Sequence, residues 1–377
     1  MNFKYFIIFV FLIFLTFEVS SQDNASEVNT LLSRLDESQD ENKRASIRLE
    51  LARLYRQQNN FDESIRYYIL AKHILDRTKK EVGLLALINE EIGLLYQSQK
   101  GYEKSITYFR ESQSLRKQLN DTDGQIRSLN YAAWSYYQIP HYSSAIQTYE
   151  KILDIHHRKK NFIEEVKVLN RLAIISELNG QLDEALEYSN RELAISRSLN
   201  NLRGLAKAHN NIAYLQRRKG LTKEALRSFN QAIDIYKKML QQNQSQDEKA
   251  AILSNLGIIH TNIGAYAPAY GYFGQALQIR RRQQEPAKIG NVFNQIAANY
   301  FLKGDFERAR INALSAVKQA RLVDAWGVLI DSYRILADIS EAEGNIQDYR
   351  QYSEYQTELE NKLKEESNKR DTELLRK

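Results

Sequence analysis

The sequence predicts an all-α chain, a solenoid of about eight stacked helix hairpins closed by polar helices at its two ends. Composition is the first observation: 377 residues hold only three prolines and 15 glycines, with abundant Leu, Ala, Glu, Lys, Arg and Gln and no strand-type alternation. The second is a column of small residues at Ala52, Gly93, Ala133, Ala173, Ala213, Gly257, Ala297 and Ala337, whose steps are 41, 40, 40, 40, 44, 40 and 40. The third is a second column twelve residues later, at Ser64, Ser105, Ala145, Ala185, Ala225, Ala269, Ala309 and finally Tyr349. Fixed-period self-similarity of this length is the mark of a repeat architecture.

Residues 1–21 differ from the rest. Lys4 precedes an apolar run from Phe6 to Leu15, and Ser20 and Ser21 follow. The run falls short of the roughly 20 residues that span a bilayer, and its order is that of a secretory signal peptide cut near Ser21–Gln22. The expected location is therefore exported, periplasmic or secreted; an uncleaved leader would anchor the chain in the inner membrane, its only predicted contact with a membrane. The sequence has no cysteine, which excludes disulfides, thiolate metal sites and a lipoprotein anchor.

Residues 22–44 read as a capping segment, with a helix from Ser26 to Leu35 covering the first repeat. Residues 45–348 carry the eight repeats. Two helices approach closely only where their facing side chains are small, so one small residue on each, held in phase, sets a hairpin. An apolar or aromatic residue three places before the second column (Phe61, Tyr102, Tyr142, Leu182, Tyr266, Phe306, Ile346; Thr222 departs) is expected to fill the remaining gap. Turn signals lie between the columns at Gly180, Gly220, Gly264, Gly304 and Gly344, with Asn59, Gly101 and Pro140 serving the first three copies. The 44-residue step places a loop insertion around Gln241 to Asp247. Residues 349–377 form a polar helix that completes the last repeat, as solenoid ends require for solubility. There Tyr349 relaxes the small-residue rule.

The segments LARLYRQQNNFDESIRYY, IGLLYQSQKGYEKSITYF, LAIISELNGQLDEALEYS and IAANYFLKGDFERARINA carry a pattern that resembles the tetratricopeptide repeat (TPR), over about Ala45 to Tyr355. The resemblance implies a right-handed superhelix. The spacing of 40 exceeds the usual period of about 34, through longer helices and longer loops between units, and resembles the kinesin light chain type. The overall organisation also resembles the exported TPR sensor region of bacterial membrane histidine kinases, which continue from a charged helix like KLKEESNKRDTELLRK into a membrane span and kinase. That likeness implies a sensor or regulatory input module of a two-component system as an alternative role.

Asparagine is a mediocre helix former, yet Asn130, Asn170, Asn210 and Asn294 recur three residues before their small residue, with Ser254 in the sixth copy. Their helix faces read Arg127, Asn130, Trp134, Tyr137; Lys167, Asn170, Ile174, Glu177; Lys207, Asn210, Tyr214, Arg217; Ala251, Ser254, Ile258, Thr261; and Asn291, Asn294, Ala298, Phe301. The resemblance implies that this face lines a concave groove whose asparagines hold a peptide backbone. An amide both donates and accepts, and helices about 8–10 Å apart place one rung every two or three residues of an extended chain. Arg127, Lys167, Arg171, Lys207 and Arg217 form a basic strip suited to an acidic segment. The alternative is a purely structural ladder, each asparagine tying neighbouring helices together.

Catalytic chemistry is not expected. His73, His141, His156, His157, His209 and His260 show no metal-ligand spacing, and HHRKK and Arg280–Arg282 read as basic helix ends. No P-loop, G-x-S-x-G or Rossmann glycine pattern occurs. A net charge of +6 among 53 basic and 47 acidic residues does not point to nucleic acid. The expected protein is an exported, non-catalytic scaffold without cofactor or metal that binds an extended, acidic segment of a partner protein. Homo-oligomerisation through the terminal helix is a further alternative.

Overall fold

The 40-residue period resolves into two 17-residue helices and two three-residue turns. The computed structural model describes residues 26–78, 81–242 and 244–374; the predicted leader lies outside them. The described helices are α1 (26–37), α2 (Glu41–Gln57), α3 (Phe61–Thr78), α4 (Val82–Ser98), α5 (Tyr102–Gln118), α6 (Thr122–Gln138), α7 (Tyr142–Arg158), α8 (Phe162–Leu178), α9 (Leu182–Ser198), α10 (Leu202–Arg218), α11 (Thr222–Leu240), α12 (Gln246–Asn262), α13 (Tyr266–Arg282), α14 (Pro286–Lys303), α15 (Phe306–Arg321), α16 (Trp326–Ala342) and α17 (Ile346–Leu374). No strand occurs among the described residues. The fold class is an all-α solenoid.

Local sequence sets the helix boundaries. Asp121, Asn161 and Asn201 each accept a hydrogen bond from a backbone N–H three residues on, so they cap α6, α8 and α10 at one phase of the repeat. Each hairpin turn places a left-handed residue seven positions after the small residue. Glycine serves at Gly180, Gly220, Gly264, Gly304 and Gly344, where it carries no Cβ penalty. Asn59 does so in the first copy, and Pro140 occupies the position in the third. In the second copy Lys100, and not Gly101, is left-handed; Gly101 is the N-cap of α5. The 44-residue step is shared between two elements: α11 has 19 residues where α9 has 17, and the linker 241–245 has two more positions than the linker 199–201.

The chain divides inside α7 into two units, residues 1–155 and 156–377. In the first, α2 packs on α3 and α4 on α5, around a core that includes Leu51, Tyr68, Ala71, Ile88 and Ile92. In the second, hairpins α8/α9, α10/α11, α12/α13, α14/α15 and α16/α17 follow in order, and first helices also meet first helices, α12 on α14 and α14 on α16. That second contact makes a stack from a row of hairpins.

Both small columns are buried throughout, except where Tyr349 ends the second at 39% exposure. The ring that fills the gap is not the one expected. Phe61, Tyr102, Tyr266 and Phe306 begin their helices at the hairpin edge and are half-buried. The closely packed ring stands sixteen residues after the small residue: Tyr68, Phe109, Tyr149, Phe229 and Phe273, all buried. Where the small residue is glycine the ring takes the missing methyl's place. A Cβ on Gly93 would meet Phe109 at 2.6 Å, and one on Gly257 would meet Phe273 at 2.4 Å.

Buried polar pairs join successive first helices. Gln97 of α4 donates to Ser135 of α6 at 2.9 Å, and Thr261 of α12 donates to Asn299 of α14 at 2.7 Å. Both pairs join the fourth position after one small residue to the second position after the next. At the end of the chain α17 lays Tyr352 and Leu359 on the α16 core around Tyr333. Among the described residues no helix is long and apolar enough to cross a membrane.

Two glycines of the sixth hairpin give opposite expectations. Gly271 has open space at its Cβ, so Gly271→Ala stabilises by about 0.5–1 kcal/mol through helix propensity. Gly257→Ala sets that gain against overpacking of about 1–3 kcal/mol and lowers the urea midpoint. Equal midpoints for the two variants would contradict this account of the interface.

Candidate binding face

The first-helix column is a set of distinct environments. In the first unit, Glu90 occupies on α4 the place that asparagine takes in later copies, and it is only 1% exposed. Arg127 of α6 donates to both its oxygens, and Arg116 of α5 lies 3.5 Å away. This contact raises the Arg127 guanidinium above its ordinary value, with the hydrogen bond to Glu90 as the largest cause. The Asn130 amide donates to the carbonyl of Ile126, one turn back on its own helix, at 3.0 Å. Trp134 packs edge-on against Tyr102, and Tyr137 against Tyr142.

In the second unit, Asn170 of α8 donates to Glu192 of α9 at 3.4 Å and accepts from Lys207 of α10 at 3.2 Å. Glu192 is 1% exposed. Burial raises its pKa, opposed by the nearby Lys207 charge and the Asn170 bond. Asn170–Lys207 repeats the geometry of Glu90–Arg127: in each, a cation six places before one small residue reaches the polar group three places before the preceding one. Lys167 pairs with Glu164 at 2.5 Å, and Arg217 donates to the Asn262 carbonyl while lying over the Tyr214 ring. Arg171 and Ile174 are exposed on α8, and Ser254 is half-buried on α12. The predicted basic strip is therefore largely engaged in contacts within the protein.

Asn294 follows the structural alternative. It is 7% exposed; its amide nitrogen donates to the Val328 carbonyl at 3.1 Å and its oxygen accepts from Ser332 at 2.9 Å, tying α14 to α16. Asn210 is different. Its Oδ1 is buried and has no hydrogen-bond partner. Asn210 lines a pocket of about 310 Å³ with Arg203, Lys207 and Asn211 of α10, Tyr236 of α11, and Asn255, Ile258 and Ile259 of α12. Within the pocket Asn255 donates to the Tyr236 hydroxyl at 3.2 Å. Arg203 pairs with Glu248 at 2.7 Å.

Sequence reasoning placed Asn210, Lys207 and Ile258 of this pocket on the binding face but did not assign Asn211, Asn255, Tyr236 and Arg203 to it. The signal was present as polar doublets: Asn210–Asn211 and Ser254–Asn255 stand at the same two positions of successive repeats. Tyr236 could not be found this way, because it comes from the second helix of the hairpin.

Hairpins that repeat at fixed phase and pack first helix on first helix define an α-solenoid repeat protein. The chain belongs to the tetratricopeptide repeat family: tetratricopeptide repeat models match residues 48–81, 84–156, 164–238 and 250–282. Over 98 residues it is 29% identical to photosystem I assembly protein Ycf3 of Rippkaea orientalis (strain PCC 8801 / RF-1), a match that covers 26% of this chain and 52% of that one. The chain thus spans about half the length of the curated relative it matches. Among solved structures it is similar to a Rap protein complexed with competence and sporulation factor (TM-score 0.45, 16% identity, 90% of this chain and 99% of that one). It is also similar to the apo form of RapI (0.44, 13%, 74% and 99%) and to a putative kinesin light chain of Podosopora anserina with nearly identical TPR-like repeats (0.40, 17%, 54% and 100%).

The site's helices contain two histidines that burial disfavours in the charged form. Burial lowers His209 and His260 below the ordinary value of 6.5, with Arg197 and Lys237 adding repulsion. Both ring nitrogens of His260 are buried without partners, and the ring stacks on Tyr272. A folded pKa below the unfolded one means that the unfolded chain binds more protons, so this stability is complete above about pH 6.5 and declines as the pH falls through it. The melting temperature is expected to drop between about pH 7 and pH 5.5, less steeply in His260→Phe. The same slope in both proteins would exclude His260 as a source.

Proposed function

We propose that this tetratricopeptide scaffold is non-catalytic and captures an extended segment of a partner protein on the first-helix face of α10 and α12. The observation that carries this reading is the α10–α12 pocket itself, lined by Asn210 with Lys207 of α10 and Ile258 of α12. An amide both donates and accepts, so such a lining can pair with a peptide's N–H and C=O together. The neighbouring Asn211 and Asn255 add further amides to the same wall. A pocket of about 310 Å³ lies at the lower end of the range for ligand sites, about 300–1,000 Å³, and suits one or two side chains rather than a large cofactor. In this reading the first 21 residues are a cleaved export signal and the partner shares the chain's exported compartment.

Two asparagines of one column then separate binding from architecture. Asn294→Ala removes two interhelical hydrogen bonds and is expected to cost about 1–3 kcal/mol, seen as a lower melting temperature. Asn210→Ala is expected to leave melting unchanged or slightly raised. With a photo-crosslinker at Ile258, it should also reduce partner capture from the native envelope about tenfold, the equivalent of one charge-assisted or well-buried hydrogen bond. Melting of Asn210→Ala that falls as far as that of Asn294→Ala, with capture intact, would make Asn210 a structural residue and defeat the reading.

A further inference from the structure

We propose that the linker end of the second unit, where each second helix hands over to the next first helix, docks on the surface of an anionic lipid bilayer. Successive helices of this unit run in alternating directions, so every linker lies at one end of the stack and every hairpin turn at the other. The two ends differ in charge. Counted from the last four residues of one helix through the first four of the next, the four linkers that join hairpins α8/α9 to α16/α17 hold 11 basic and four acidic residues, a net charge of +7. The five hairpin turns, counted the same way, hold six basic and nine acidic residues, a net charge of −3. The linker cations recur in phase: Arg197, Lys237, Arg281 and Arg321 each stand twelve residues after the buried small residue of their second helix.

Compensation of helix dipoles does not account for this row. A cation suits the C-terminus of a second helix, but the N-terminus of the next first helix beside it suits an anion equally. α10, α14 and α16 carry no acidic residue in their first turns, so the charge is left unbalanced. Arg197, Lys237, Lys238, Arg282 and Lys318 are exposed and form no ion pair among the described residues. Like charges held in a row repel, and an external anionic surface relieves that repulsion.

Exposed apolar side chains stand among these cations. Phe162 and Ile163 open α8, Leu199 follows α9, and Leu322 and Val323 follow α15, at 40–66% exposure. Apolar tips also occur at the hairpin end, at Leu178, Leu302 and Ile346, so charge decides between the two ends. The apolar tips decide between partners. A soluble polyanion offers nothing to Ile163 or Leu322, whereas a bilayer takes cations at its headgroups and apolar side chains at the acyl boundary. Such a contact lies on the bilayer and needs no spanning helix. It does not depend on the pocket or on the binding role proposed above.

The test is co-sedimentation of the full chain with vesicles of phosphatidylcholine alone and of phosphatidylcholine with about one third phosphatidylglycerol. The wild type is expected to bind the anionic vesicles at least about tenfold more tightly than the neutral ones, and to lose that preference at high salt. Lys237→Glu/Lys238→Glu should weaken binding to anionic vesicles at least about tenfold. Lys223→Glu/Lys303→Glu, the same charge change at the hairpin end, should leave it within about twofold. Ile163→Ser/Leu322→Ser should weaken vesicle binding while leaving retention on heparin, a soluble polyanion, unchanged. Circular dichroism melting verifies that each variant is folded, and Lys237→Gln/Lys238→Gln takes the place of a glutamate pair that is not. The apolar residues 6–15 contribute equally to every vesicle and every variant, so the differences alone decide. Equal binding to the two vesicle types, or equal losses in the two glutamate pairs, overturns the proposal. Vesicle binding untouched by Ile163→Ser/Leu322→Ser, with tight retention on heparin, assigns this end to a soluble polyanion and overturns it as well. Each of these outcomes leaves the pocket reading intact.

Discussion

The close approach of two helices at a small residue is the contact on which the remaining structure depends. Glycine or alanine on the first helix and serine or alanine on the second let the backbones draw near, and in five copies a ring sixteen residues on fills what is left. At Gly93 and Gly257 the ring lies where a methyl would be. Nothing downstream is free of this constraint. The phase of the small residue decides which side of the first helix faces its own partner, which side faces the next repeat, and therefore which side is left to present asparagines. Because each hairpin buries only part of its apolar surface alone, stacking is a condition of stability.

Most of the architecture was legible because that constraint repeats. The small columns and the glycines at the hairpin turns recur at one period, and a recurrence of that kind survives substitution at any single position. The filling ring was misassigned for a physical reason. An aromatic next to a turn stands out in the sequence, but its helix-start position leaves it at the edge. The true ring lies in the middle of an amphipathic helix, where it looks like any other core residue. Lys100 was overlooked for a related reason: the adjacent Gly101 was the obvious candidate for a left-handed backbone, yet the helix geometry fixes the turn residue by distance from the small column.

The binding face was legible as a column and illegible as a set of roles. Asn130, Asn170, Asn210 and Asn294 are equivalent in sequence phase, but their partners come from other helices. Asn294 meets Ser332 and Val328, Asn170 meets Glu192 and Lys207, and Asn130 meets its own helix. Asn210 alone among these four has a buried oxygen without a partner. Whether an amide is structural or available is decided by what the neighbouring repeat offers, and a single repeat's sequence does not contain that information. The basic strip met the same fate, since Glu90, Glu164, Asn170 and the Asn262 carbonyl already engage its cations.

The buried hydroxyl and amide contacts between successive first helices have a consequence for how such a chain can evolve. Gln97 fits Ser135, and Thr261 fits Asn299, while other copies carry aliphatic residues such as Ile175 and Ile259 where Ser135 and Asn299 stand. Each of these two junctions is therefore a matched lock specific to its two members. Shuffling, deleting or duplicating one copy would set a polar group against hydrocarbon at a site closed to water. The order of units is thus written into the molecule's interior, and drift among copies, once begun, makes later rearrangement progressively harder.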